Sequence, residues 1–128
     1  MAKLTAKQAN ELANNFLGLA QAIGDFRYCN ILPKPQNQKI KDLHWSVLNY
    51  ADDLYTLSAT LVMDDVEKSL STIGIITTEI QATYKTLQNV QKAINVAASI
   101  VTLGSSILST NLNAIKESLS DLVSVWKS

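Results

Sequence analysis

A single cysteine, Cys29, stands in the 128-residue chain, so no intramolecular disulfide can form. That fits a reducing compartment. No histidine lies near Cys29 in the sequence, and the thiol reads as a half-buried group at a helix end, not as a nucleophile. His44 is the only histidine. Bundle di-metal sites need Glu-x-x-His pairs on several inward-facing helices, and this chain has none. His44 reads as a solvated residue beside Asp42, Asp52 and Asp53. With four glycines, the chain holds no phosphate-cradling loop, dinucleotide fingerprint or Gly-x-Ser-x-Gly elbow. The acidic pairs Asp52-Asp53 and Asp64-Asp65 lack the spaced ligands and glycine of a calcium loop. No excess of either charge sign is present: eleven basic residues balance eleven acidic ones. A nucleic-acid binder normally gathers a basic excess on one face. Here the one local concentration is Arg27, Lys34, Lys39 and Lys41 around a loop, read as a solvated turn. The amino terminus has no apolar run of the secretory type. A cytoplasmic location is therefore expected, with signal-independent export left open.

What the chain does have is helical periodicity. It is 47% hydrophobic and 17% charged, the balance of one globular domain spanning residues 1–128. From Val66 to Trp126 every step of three or four residues lands on a seam: Val66, Leu70, Ile73, Thr77, Ile80, Tyr84, Leu87 and onward through Ile94, Val101, Leu108, Ile115 and Leu122. Only Thr77, Gln91 and Ser105 on that ladder are polar. Such a repeat is the mark of coiled-coil-like helices. Upstream, Thr5 and Gln8 form a capping box. Ala9, Leu12, Phe16, Leu19, Ile23 and Phe26 then repeat over a first helix of about 5–30. Gly18 and Gly24 interrupt its side-chain cover. Pro33 and Pro35 mark the clearest break, after which Asn37 is a plausible N-cap. A second helix of about 38–62 carries the seam Ile40, Leu43, Val47, Tyr50, Leu54, Leu57 and Leu61, with a second row Trp45, Leu48, Tyr55, Ala59 and Val62. Two apolar faces suit a helix in the middle of a bundle, or one that offers a face to a partner. The rhythm slips between Leu61 and Val66, where Asp64-Asp65-Val66-Glu67 offers an acidic cap and a capping-box glutamate.

Beyond Val66 the outward positions Glu67, Lys68, Ser71, Glu79, Lys85, Gln88 and Asn89 make a solvated face. From Ala93 to Ile115 no charge occurs. Asn95, Ser99, Thr102, Ser106, Ser109 and Asn113 form a polar stripe there, while Ala97, Ile100, Leu103 and Ile107 are expected to face outward. Gly104-Ser105-Ser106 is a stop followed by a cap, and Ser109-Thr110-Asn111 is a second candidate. A break at Gly104 gives an antiparallel four-helix bundle (about 5–30, 38–62, 65–103 and 106–127) with an overlong third helix. The alternative is three helices, the last continuous over 65–127 and about 90 Å long at about 1.5 Å per residue. Either length mismatch leaves apolar surface that a second copy would cover.

The function these features imply is a non-enzymatic bundle that acts by protein–protein contact and self-associates, with no cofactor, no metal and no nucleic-acid partner. The candidate contact residues are Ile100, Leu103 and Ile107 on the uncharged segment, together with the aromatics Trp45, Tyr55 and Trp126. Tryptophan and tyrosine dominate contact energies when buried at an interface, although in a small bundle they are more often core. Trp45-Ser46-Val47 lacks the glycine of the Trp-x-Gly found in small secreted helical hairpins. The uncharged stretch 93–115, set between two amphipathic arms, resembles the hydrophobic helices of α-helical pore-forming toxins. That resemblance implies the alternative function: a membrane-active or amphipathic lipid-binding protein that exposes 93–115 to lipid.

Overall fold

The computed structural model describes residues 2–57 and 60–128. It is all-helical apart from one short ladder, and five α-helices occur among the described residues. Ala59, read above as part of a second apolar row, lies outside them.

The chain opens with β1 (Ala2–Lys3) and α1 (Ala6–Cys29). The capping box forms as the sequence predicts: Gln8 N–H donates to Thr5 Oγ1 at 3.1 Å, and Thr5 N–H to Gln8 Oε1 at 2.9 Å. Helix α2 (Lys34–Thr56) begins four residues earlier than expected, because Pro33 takes the N-cap and Pro35 falls in the first turn. A first-turn N–H has no intrahelical acceptor, so proline costs little there. Asn37 is thus inside the helix, and its Oδ1 accepts from Arg27 Nε at 3.4 Å. The helix also stops short of 62. Strand β2 (Val62–Met63) pairs antiparallel with β1, Ala2 opposite Met63 and Lys3 opposite Val62. This ladder fixes the phase slip between Leu61 and Val66 as a real break.

Helix α3 (Val66–Thr83) is capped by Asp65, whose side chain accepts from Lys68 N–H at 3.2 Å. Lys68 therefore holds the third position, so Glu67 completes no capping box. The expected third helix of 65–103 is two helices. It ends in a 3-10 turn at Tyr84–Thr86, Leu87 is extended, and Asn89 caps α4 (Val90–Leu108) by accepting from Lys92 N–H at 3.0 Å. The expected stop at Gly104 does not occur. The turn falls at the second candidate: Thr110 adopts φ 56°, and Asn111 caps α5 (Leu112–Lys127) by accepting from Ala114 N–H at 3.1 Å. The four-helix division and its three-helix alternative both give way to five helices of 24, 23, 18, 19 and 16 residues. The overlong seam that implied self-association is interrupted at 84–89.

The helices alternate in direction. α3 packs on α1, α1 on α2, α2 on α4, and α4 on α5. At the end where α1 finishes, α5 returns toward α3: Trp126 Nε1 donates to Glu79 Oε1 at 3.3 Å. Helix α1 is buried on several sides, from Leu12 and Phe16 through Phe26. Its glycines are covered by side chains of neighbouring helices, Gly18 by Gln81 and Gly24 by His44.

Helix α4 accounts for the missing charges between Ala93 and Ile115. Ala93, Val96, Ala97, Ile100, Leu103 and Ile107 are buried, spaced as one helix face against α1 and α2. The expectation that Ala97, Ile100, Leu103 and Ile107 face outward is therefore corrected. The break at 84–89 resets the helical phase, so seam positions Gln91 and Ser105 are exposed while the supposed outer face becomes core. Part of the polar stripe meets α5, where Ser106 and Ser118 hydroxyls pair at 2.9 Å in a buried contact. No helix among the described residues is long and apolar enough to cross a membrane.

Candidate functional site

Helices α3 and α5 run the same way and are joined at one end by the Trp126–Glu79 hydrogen bond. Toward the other end lies an open cleft of about 740 Å³ between them. Its apolar lining comes from Leu112, Ile115, Leu119 and Val123 of α5. These residues recur at three- and four-residue steps, so they fall on one helix face. Ile115 is buried, while Leu112, Leu119 and Val123 are half-buried. The α3 wall is polar: Asp64 and Asp65 at the mouth, then Lys68, Ser69 and Thr72. Lys116, Ser120 and Ser124 complete the α5 rim. Ile75 stands one turn beyond Thr72 on α3, 58% exposed.

The closed end is held by more than one contact. Trp126 is 9% exposed. Lys92 Nζ sits 5.6 Å from the centre of its ring and donates to the main-chain oxygen of Ser128 at 2.9 Å. Trp126 is thus a clamp between α3, α4 and α5, and of the six proposed contact residues it is the one nearest the cleft. Ile100, Leu103 and Ile107 are fully buried and face away from any partner. Trp45 is 52% exposed on α2, tilted against His44 with ring centres 6.1 Å apart. Tyr55 is partly exposed, and its hydroxyl donates to Asn14 Oδ1. The structure therefore does not gather the six residues into one site.

Two titratable groups sit in constrained surroundings. His44 is half-buried over Gly24, not solvated among its carboxylates, and its Nδ1 is enclosed without a hydrogen-bond partner. Burial first, and the Arg27 guanidinium second, hold the imidazole below its ordinary pKa of 6.5. Tyr84 is buried against Phe26, ring centres 5.3 Å apart, and donates to Ala93 O at 2.6 Å. Burial pushes its phenol well above the ordinary range. It ties the 3-10 turn to α4 and serves packing. Cys29 is exposed, where the sequence suggested a half-buried thiol.

Sequence reasoning missed a second feature, at the α1–α2 connection. Tyr28 and Ile31 are 94% and 104% exposed. Both fall off the seam that runs through Phe26 to Asn30, and that displacement was the available signal. The connection itself is pinned: Asn30 Nδ2 donates to Phe26 O at 2.9 Å and to Lys85 O at 3.4 Å.

Comparison with protein-family models, with curated proteins and with solved structures finds no match to this chain.

Proposed function

We propose that this protein is a non-enzymatic helical bundle that acts by protein–protein contact and associates with itself. The observation that carries the reading is the α3–α5 cleft. Its apolar floor of Leu112, Ile115, Leu119 and Val123, rimmed by serine, threonine, aspartate and lysine side chains, is the form of groove that accepts apolar side chains of another chain. The exposed Trp45, Tyr28 and Ile31 add apolar surface outside the cleft. A catalytic role has less to stand on. His44 packs over Gly24 with its Nδ1 unpartnered among the described residues, and the buried phenol of Tyr84 is committed to Ala93.

Sedimentation velocity and light scattering on the purified chain test this reading. The weight-average mass should rise with concentration through the micromolar range. A strict monomer at high micromolar concentration removes self-association from the proposal. Pull-down from the native host then tests for a partner encoded elsewhere. The lipid-contact alternative requires α4 to leave the core, because the apolar face of 93–115 is buried. Liposome dye release measures whether that happens.

A further inference from the structure

The two ends of the bundle differ in net charge. At one end, α1 stops, α2 starts, α3 passes into α4, and α5 finishes. The segments collected there, 25–42, 79–96 and 121–128, carry seven of the eleven basic residues and four of the eleven acidic ones, Asp25, Asp42, Glu79 and Asp121. Arg27, Lys34, Lys39 and Lys41 surround the connection from which Tyr28 and Ile31 project almost fully exposed. The result is an apolar tip with a cationic collar, held in place by the Asn30 hydrogen bonds. At the opposite end lies the mouth of the α3–α5 cleft, apolar inside, with Asp64 and Asp65 on its rim. The α2 terminus with Asp52 and Asp53, and Glu67 at the start of α3, lie at that same end. Lys68 and Lys116 also line the cleft, and Lys3 lies opposite Val62 in the ladder, so the five carboxylates of 50–68 face three lysines at this end.

We propose that the cleft of one copy receives the Tyr28–Ile31 tip of the next, so that the protein assembles head to tail. This rests on the self-association proposed above and names its two surfaces. Tyr28 and Ile31 would leave water for the floor formed by Leu112, Ile115, Leu119 and Val123. Arg27 and Lys34 would come to lie against Asp64. A molecule cannot fill its own cleft, because tip and mouth are at opposite ends. Two copies cannot satisfy both ends by a two-fold axis through either surface. Such a heterologous contact repeats into an open chain or closes into a ring. The contact is small, which places it among the weaker, reversible associations.

Two variants and their mixture test the proposal. Ile31→Asp disables the tip at a fully exposed position, where the fold is not at risk. Leu119→Lys disables the cleft, and the exposed Asp64→Lys serves as a second cleft variant should Leu119→Lys unfold, which circular dichroism will show. Each variant alone should associate about tenfold more weakly or not at all, a loss of about 1.4 kcal/mol or more. An equimolar mixture of a tip variant and a cleft variant should form a dimer and stop there, since one intact tip meets one intact cleft. Lys116→Glu should strengthen assembly of the otherwise unaltered chain. If the wild type associates but the single variants associate equally well, or the mixture stays monomeric, the tip-to-cleft contact is wrong while self-association stands. If the wild type is monomeric, both fall. Flotation with phosphatidylserine vesicles completes the test: wild-type binding that Ile31→Asp abolishes, with no loss of self-association, would assign the tip to lipid and overturn the proposal.

Discussion

Gly104 shows how much one missing side chain decides. A Cβ at this position would lie 2.5 Å from Tyr50 Cδ2 and 2.9 Å from Phe16 Cε2, so its absence lets α4 seat against α1 and α2 together. In the sequence the same glycine looks like a helix stop, because glycine is common just past helix ends. What overrides that tendency is packing, which sequence periodicity does not display. Gly104→Ala should destabilise the protein by about 1–3 kcal/mol through overpacking, despite alanine's better helix propensity. Gly74, inside α3, has nothing within 4 Å of where a Cβ would sit. Gly74→Ala should therefore stabilise by about 0.5–1 kcal/mol. Urea midpoints of the two variants should move in opposite directions, and equal shifts would contradict the packing account. His44 gives a residue-scale prediction in pH. Its folded-state pKa is lowered from 6.5 by burial and by Arg27, so the unfolded chain takes up the proton first. Stability is then greatest above the unfolded pKa and is lost as pH falls through about 6.5 toward the folded value. The urea midpoint of the wild type should fall between pH 7.5 and pH 5, and His44→Gln should flatten that part of the profile. A dependence unchanged by the substitution would move its origin elsewhere.

At the scale of the elements, the sequence was most informative where local chemistry and packing agree. The α1 capping box, the proline break and the α1 seam all stand in the structure as the residues imply. The solvated face from Glu67 to Asn89 is exposed throughout. Legibility fails at 84–89, where neither glycine nor proline marks the break. The apolar ladder runs straight through it, and only Asn89 as a cap betrays the start of α4. Once the phase resets there, a three–four repeat carried across the gap points to the wrong face. The stretch 93–115 is apolar on two sides, so the sequence alone does not say which side meets the core. The reassigned face makes a direct prediction. Ile100→Ala and Leu103→Ala, both fully buried, should each cost about 2–5 kcal/mol. Trp45→Ala, on the exposed side of α2, should stay within about 0.5 kcal/mol of wild type. Were Ile100 and Leu103 contact residues on a free surface, truncating them would leave stability nearly untouched and alter association instead. The cleft was partly legible as well: Leu112, Ile115 and Leu119 stand on the seam, but the seam does not say that Leu112 and Leu119 stay half-buried in a cleft between α3 and α5.

Across the whole molecule, a net charge of zero conceals a separation of charge. Seven cationic side chains against four carboxylates (Asp25, Asp42, Glu79 and Asp121) occupy the segments gathered at the tip end, which leaves four cations against seven carboxylates over the rest. Composition cannot reveal this, because it arises only when alternating helix directions bring distant segments to the same end. Head-to-tail association should therefore depend on salt. Interactions between exposed charges are screened over about 10 Å at 0.1 M ionic strength and about 3 Å at 1 M. Burial of Tyr28 and Ile31 in an apolar cleft does not weaken under the same change and is strengthened by excluded salts such as sulfate. Sodium chloride raised toward 1 M should thus loosen the assembly, chiefly by slowing encounter, since complementary charge steers association more than it holds it. Sodium sulfate, at an ionic strength where screening is already complete, should recover part of the loss. Sedimentation velocity across the two salts separates the terms. Loss in both would mean that charge alone joins the copies, whereas indifference to chloride would mean that the collar around Tyr28 and Ile31 faces water and takes no part in the contact.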